Sequence, residues 1–473
     1  MWLVQSHSGP RRKASVVRVC HGLSAVFDDP NLVSCAGLAP VMALAARAGL
    51  HALVGEHVRI DAAGGANPRV KVAALVTGMV AGADSIDDMD LLRHGGMGRL
   101  FDGARAPSTL GTFLRAFTFG HVRQLDAVPA RLLGNLAAHT PLLPGAEQVA
   151  YLDVDDTVRE THGYAKQGAG YGYSGVKGLN ALIATVSTPL AAPVIAATRL
   201  RKGSTNSARG AERLVADALV AAAGAGATGL VIVRADSAFY NHKVIGAARR
   251  RGARFSVTAR MTPSVRRAIA CIGEQAWTPI KYPNAVWDEA EQRFISDAEV
   301  AEVPYTAFGS RRSAEQVTGR LIVRRVRRLN PDSTAGQGEL FAAWRYHAVF
   351  TDSPLPMRDA EAAHRGHAVV EQVIADLKNS AMAHLPSGKF WANSAWLACA
   401  AMAFNLTRAA GALASLFHAR ATTATIRAHL IAVPARMARP ARRPVLHLPQ
   451  RWPWQHAWQQ LFDHALHHPP LAA

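Results

Sequence analysis

Across residues 32–138 apolar side chains recur every three or four positions, broken by Gly and Pro, a pattern that predicts packed helices. Pro107-Ser108 reads as a helix start, with Ser108 capping a segment that carries Phe113, Leu114 and Phe117. The period changes near Gln148. Residues 149–155 form a run of strand type, and 179–187 and 193–200 are two more. A helix is expected over 208–223, a fourth strand over 229–236, a helix over 242–251 and a fifth strand over 254–260. Three strands on short turns, followed by helical crossovers, predict a mixed sheet in an α/β layer fold. Beyond Met261 short runs punctuated by Trp277 and Trp287, with a basic strand starting at Arg320, predict a β-rich insertion before a helix around Glu371 resumes the core.

The division that follows is a helical N-terminal region over 1–145 that could touch DNA, the first part of a core over 146–262, and an insertion over 263–345. The core is completed over 346–410, and a basic extension occupies 411–473. From residue 380 onward Asp463 is the single acidic residue.

Charge sharpens the picture. The chain carries 53 Lys+Arg against 34 Asp+Glu over 473 residues, a formal charge of +19. Such an excess points to a polyanionic partner, because each cation set on a phosphate releases condensed counterions. The four cysteines, Cys20, Cys35, Cys271 and Cys399, have no metal-ligand spacing and read as reduced thiols of a cytoplasmic protein. Residues 1–13 lack the pattern of a signal peptide, and the apolar run 395–404 is too short to span a bilayer, so no membrane role is expected.

Candidate chemistry lies in three acids from distant segments. On one continuous helix His364, His367, Glu371 and Lys378 would share a face, while Val370, Val373, Ile374 and Leu377 would be buried on the other. Asp155 and Asp236 end the first and fourth strands. Hard carboxylate oxygens converging on one sheet edge suit Mg²⁺. Asp153 shares the face of Asp155, so either could be the first acid. Lys166, Tyr171, Tyr173 and Lys177 place cations and rings in a Gly-rich loop beside that strand, suited to backbone phosphates.

Leu152-Asp-Val-Asp-Asp-Thr157, Val233-Arg-Ala-Asp-Ser237 and Glu371 with Lys378 seven residues later resemble the acid-bearing segments of bacterial DDE-type insertion-sequence transposases, specifically the insertion sequence 1380 branch. Where that family has Tyr and Arg before the Glu, this chain has His364 and His367. The resemblance implies a ribonuclease H-like core interrupted by a β-strand insertion, and cutting and rejoining of DNA at the inverted-repeat ends of a mobile element. It implies two Mg²⁺ ions, with Mn²⁺ as an alternative, held by Asp155, Asp236 and Glu371. Lys378 and His367 would meet phosphate, and Trp287 or Trp277 would stack on a flipped base. The implied partners are double-stranded element-end and target DNA, engaged by a homodimer on paired ends in the bacterial cytoplasm. Three other readings stand beside it: an inert DNA-binding relic, a simple nuclease without strand transfer, and a haloacid-dehalogenase-like phosphatase with Asp153 as nucleophile and Asp155 as acid/base.

Overall fold

The computed structural model describes residues 23–467 except 102, 163–164, 174, 281–286, 290–292, 295–297, 328–343 and 441–442; Cys20 and residues 1–13 lie outside the described residues. The N-terminal helices are α1 (Leu38–Arg47), α2 (Leu50–His57), α3 (Pro68–Ala81), α4 (Pro107–Arg115), α5 (Phe119–Leu125) and α6 (Ala127–His139). In α3 every residue from Lys71 to Ala81 is buried, as befits a helix apolar on all sides. It stops at Gly82, whose φ of 117° lets its N–H turn back to the Gly78 and Met79 carbonyls. The start of α4 differs from expectation. Pro107 is the first helical residue after an extended Ala106, so Ser108 lies inside the helix and caps nothing. Proline does the starting, because its fixed φ and missing N–H cost nothing there.

The sheet is built from β1 (Val149–Glu160), β2 (Lys177–Ser187), β3 (Val194–Lys202), β4 (Leu230–Ala235) and β5 (Arg254–Thr258), with α7 (Ala211–Gly224) between β3 and β4 and α8 (His242–Arg250) between β4 and β5. Their spatial order is β3-β2-β1-β4-β5. The β1–β2 and β2–β3 pairs are antiparallel, and β1–β4 and β4–β5 are parallel. β2 is buried from Gly178 to Ser187, which explains its nearly unbroken apolar sequence.

After α9 (Pro263–Ala270), the strands β6 (Thr278–Ile280), β7 (Ala298–Ala307), β8 (Val317–Arg327) and β9 (Trp344–Thr351) continue the same sheet. β9 hydrogen-bonds antiparallel to β5, and β8, β7 and β6 follow outward. The arginines of the basic strand are spent internally. Arg320 pairs with Glu302, Arg324 with Glu361, and Arg325 with both Glu299 and Glu274. Arg325 also lies over the rings of Trp277 (4.3 Å) and Trp344 (4.4 Å), so Trp277 is part of the packing there.

The remaining helices are α10 (Met357–Arg365), α11 (Val369–Lys378), α12 (Phe390–Ala414) and α13 (Gln455–Leu466). α12 is the post of the N-terminal bundle, packing on α1, α3, α4, α5, α6 and α13 and on β3. Its 25 residues are long and apolar enough to cross a bilayer, which corrects the length argument drawn from 395–404; 89% of the apolar window is buried inside the fold. The apolar run breaks at Asn405, but the helix continues because that amide closes two 2.8 Å bonds with the backbone of Ile195 on β3.

Candidate active site

Side chains alternate along β1, so Asp153, Asp155, Thr157 and Arg159 share one face, and Asp156 points to the other. The opposite face is structural. Asp156 accepts from Arg201 (2.5 Å) and Asn180 (2.6 Å), and Arg201 reaches on to the Ser207 and Arg209 carbonyls ahead of α7.

On the first face the parallel β1–β4 register pairs Asp153 with Arg234 and Val154 with Ala235. One step past the last paired position, Asp155 and Asp236 come close enough for the charge of Asp236 to raise the Asp155 carboxyl. β4 ends at Ala235, and Asp236 opens the following turn by accepting the Ala238 N–H at 2.9 Å. β1 does not end at Asp155, as the sequence suggested, but runs to Glu160 because β2 continues to pair with it.

Burial pushes the Asp155 carboxyl up to about 6; the Asp156 N–H and His367 hold it down, and Asp236 pushes it further up. Asp236 lies at the open rim yet is also raised, by desolvation first, against the Ala238 N–H and His367. Two carboxylates that are partly stripped of water and repel each other are poised for a cation.

Asp153 has another role. It is fully buried and bidentate to Arg234 (2.7 Å to each oxygen), and His367 Nδ1 lies 3.0 Å from Oδ1. Arg234 also stacks on Tyr151 (4.1 Å) and donates to the Ala363 carbonyl. An aspartate locked in this way cannot serve as a phosphatase nucleophile. Arg234 was missed at the level of sequence, although it sits inside the second acidic segment; finding it required the β1–β4 register.

The expected single helical face carrying His364, His367, Glu371 and Lys378 does not form. α10 ends at Arg365, a 3-10 turn covers Gly366–Ala368, and α11 begins at Val369. A Cβ at Gly366 would lie 2.8 Å from Nη1 of Arg234, so glycine admits the arginine here. His364 turns into the core between Ser256 (3.0 Å) and Thr258 (2.9 Å), and burial pushes it down to about 3. It is a neutral core histidine. Val370, Val373, Ile374 and Leu377 are buried, as expected.

Glu371 is exposed in the first turn of α11. Lys378, in the last turn, is pulled down by burial and then by Arg159, and is raised by Asp155, which places it beside β1. Asp155, Asp236, His367 and Lys378 are therefore neighbours, and Glu371 is exposed on α11 seven residues before Lys378. Among the described residues no three His, Cys, Asp or Glu side chains are arranged to grip a metal.

The other expected DNA contacts are dispersed. The Lys166 ammonium donates to the Leu385 carbonyl at 2.5 Å and, with Gln167 bonded to Gly388, pins the Gly-rich loop to the chain before α12. Lys177 opens β2, pairing with the exposed Tyr171. Trp287 lies on the two-residue strand Trp287–Asp288 and is 46% exposed.

Comparison with known families finds that residues 20–469 match the model described as Transposase DDE domain group 1. No curated protein matches the chain.

Proposed function

Because the chain belongs to the DDE transposases of domain group 1, we propose that it cuts DNA at the inverted-repeat ends of a mobile element and joins the freed 3′-OH to target DNA. The observation that carries this reading is the pair Asp155 and Asp236, brought together where β4 ends, both raised first by burial, with the charge of Asp236 pushing Asp155 further up. The strand order β3-β2-β1-β4-β5, with β2 antiparallel to β1, supports a ribonuclease H-like core.

Asp155 and Asp236 offer hard oxygens suited to Mg²⁺ or Mn²⁺, and Glu371 is the proposed third ligand from α11. When bound, a pair of such ions would activate the attacking hydroxyl and stabilise the leaving 3′ oxygen. The protein's own groups set the stage. Asp153 and Arg234 fix His367, whose ring faces both aspartates. Lys378 is positioned to meet a phosphate beside Asp155. Lys166 holds the Gly-rich loop in place through the Leu385 carbonyl and is proposed to offer its remaining N–H donors to a backbone phosphate. Lys177 and Trp287 are proposed to meet DNA as well. Paired element ends imply two copies of the chain acting together in the cytoplasm of a bacterium, and the resemblance of the acidic segments supports the insertion sequence 1380 branch.

A second reading, an inert DNA-binding relic, draws on His364, which stands where the family pattern has Tyr before the Glu and is here a core histidine bonded to Ser256 and Thr258. Purified protein with element-end duplexes and Mg²⁺ separates the two. Nicking that disappears in D155N, D236N and E371Q supports the transposase; DNA binding without nicking under Mg²⁺ or Mn²⁺ supports the relic.

A further inference from the structure

Four residues beyond Asp155 on the same strand face stands Arg159, about 13 Å along β1 at ~3.3 Å per residue. It is half-buried, and its Nε is shielded from solvent with no hydrogen-bond partner among the described residues. Thr161, just past the strand, is buried too, and its hydroxyl is likewise without a partner. A buried polar atom left unpaired in this way costs about 1–3 kcal/mol. Such a cost is tolerated where an absent ligand completes the bond.

The surrounding charges point the same way. Arg159 and Lys378 repel each other across the β1–α11 contact. Leu179 lies opposite Arg159, and Lys177 is two residues before it on β2, so Lys177 falls on the Arg159 face as well. Tyr171, exposed, pairs with Lys177 at the end of that row. Three cations and a ring thus run in one direction away from Asp155. No carboxylate pairs with Arg159 among the described residues, although other arginines of the sheet, Arg201, Arg234, Arg320 and Arg325, each have one.

We propose that Arg159 binds a backbone phosphate of the DNA strand that enters the aspartate pair, fixing the strand's path along the β1 face toward Tyr171. The ligand class is a nucleic-acid phosphodiester, held through a planar guanidinium that can grip two oxygens at once. Arg159 is a positioning residue, and its place in transposition rests on the reading above.

The test is the salt dependence of binding to a fluorescent duplex of mixed sequence with a single-stranded 3′ overhang, measured without divalent ions. Wild type, R159Q and R159K are compared, with melting temperatures recorded for all three. Loss of one phosphate contact should lower the slope of log K against log salt by about 0.7–0.9 in R159Q, with R159K keeping most of it. At saturating DNA with Mg²⁺, R159Q should keep the wild-type cleavage rate while needing severalfold more DNA to reach half of it. An unchanged slope in R159Q overturns the proposal, whether or not its melting temperature falls, since a purely structural arginine would change stability alone. The two claims fail separately. A wild type that cuts DNA with a slope indifferent to Arg159 removes this inference only, and one that binds through Arg159 but never cuts removes the cleavage reading only.

Discussion

At the level of single residues, the aspartate pair should be a liability until a cation arrives. Asp155→Asn removes one of two repelling, partly desolvated carboxylates. The variant is expected to be as stable as wild type without metal, or more stable by about 1 kcal/mol once solvent screening is allowed for. Mg²⁺ should raise the melting temperature of wild type and leave that of D155N unchanged, because only a folded state with both ligands gains binding energy. Cleavage should fall at least about a hundredfold, the scale of losing one electrostatic partner of a transition state. A D155N protein stabilised by Mg²⁺ as much as wild type would remove Asp155 from the ion site. His364 makes a separate prediction. Burial depresses its folded pKa to about 3 from the ordinary 6.5 of a histidine, so the unfolded chain takes up the proton first as pH falls. Stability is complete above about pH 6.5 and declines below it, by up to about 1.4 kcal/mol per pH unit. Asp155, raised to about 6, titrates in the same window with the opposite sign. Asp126, also raised to about 6 by burial, acts with the same sign as Asp155, so the comparison is made as a difference in a D155N background: in urea unfolding from pH 7 to pH 4, His364→Asn should lose less stability than its D155N parent. Strand alternation was enough to put Asp155 on a different face from Asp156. It could not separate Asp155 from Asp153, because the partner of Asp153 is chosen by register with a strand about 80 residues away.

Elements explain the remaining differences between sequence and structure. Apolar spacing located all five core strands to within a few residues, since a sheet covered by helices on both faces writes long apolar runs into the chain. It could not show that α10 and α11 are two helices. Helical spacing continues through residues 364–378, and the break at Gly366 is imposed from outside, by Arg234 reaching across to the Ala363 carbonyl. The break sends His364 into the core and His367 toward Asp153. Gly366→Ala tests this coupling. The added methyl would press on a guanidinium that is locked to Asp153 and has little room to move. Overpacking of this kind costs about 1–3 kcal/mol, to be read by urea unfolding. Cleavage should fall as well, because His367 moves with the turn, and restored space at Arg234 through Arg234→Lys should not rescue it, since the bidentate grip on Asp153 is lost. Wild-type stability and activity in G366A would mean that the turn is held by something else.

On the scale of the whole molecule, the positive charge and the C-terminal third both mean less for DNA, and more for folding, than composition suggests. Arg201, Arg234, Arg325 and Arg408 are buried and bonded within the fold, so the +19 of the chain overstates the cations available to phosphate. The tail, basic and rich in His and Trp, looked like an appendage because nothing local in it repeats an apolar period for long. In three dimensions it closes the N-terminal bundle. The strand Ala435–Ala438 pairs with Leu32–Val33, and α13 packs on α1 and α12 through Ala457, Trp458, Leu461 and Ala465, all buried. α12, from the far end of the sequence, is the core around which the first helices gather. Ending the chain after Ala414 would remove α13, the helix that packs most extensively on α1, whose Leu38, Val41 and Leu44 are buried in the full chain. Burial of a large apolar side chain contributes about 1.5–3 kcal/mol, so losing Trp458, Leu461 and their partners together removes an amount comparable with the ~5–15 kcal/mol stability of a whole domain. The truncated chain should therefore fail to give a cooperative melt and should bind a hydrophobic dye, and the milder Leu461→Ala should cost about 2–5 kcal/mol in urea unfolding. A truncation that melts like the full chain would mean that the helical region folds without residues 415–473, and that contacts between α1 and α13 add nothing to stability.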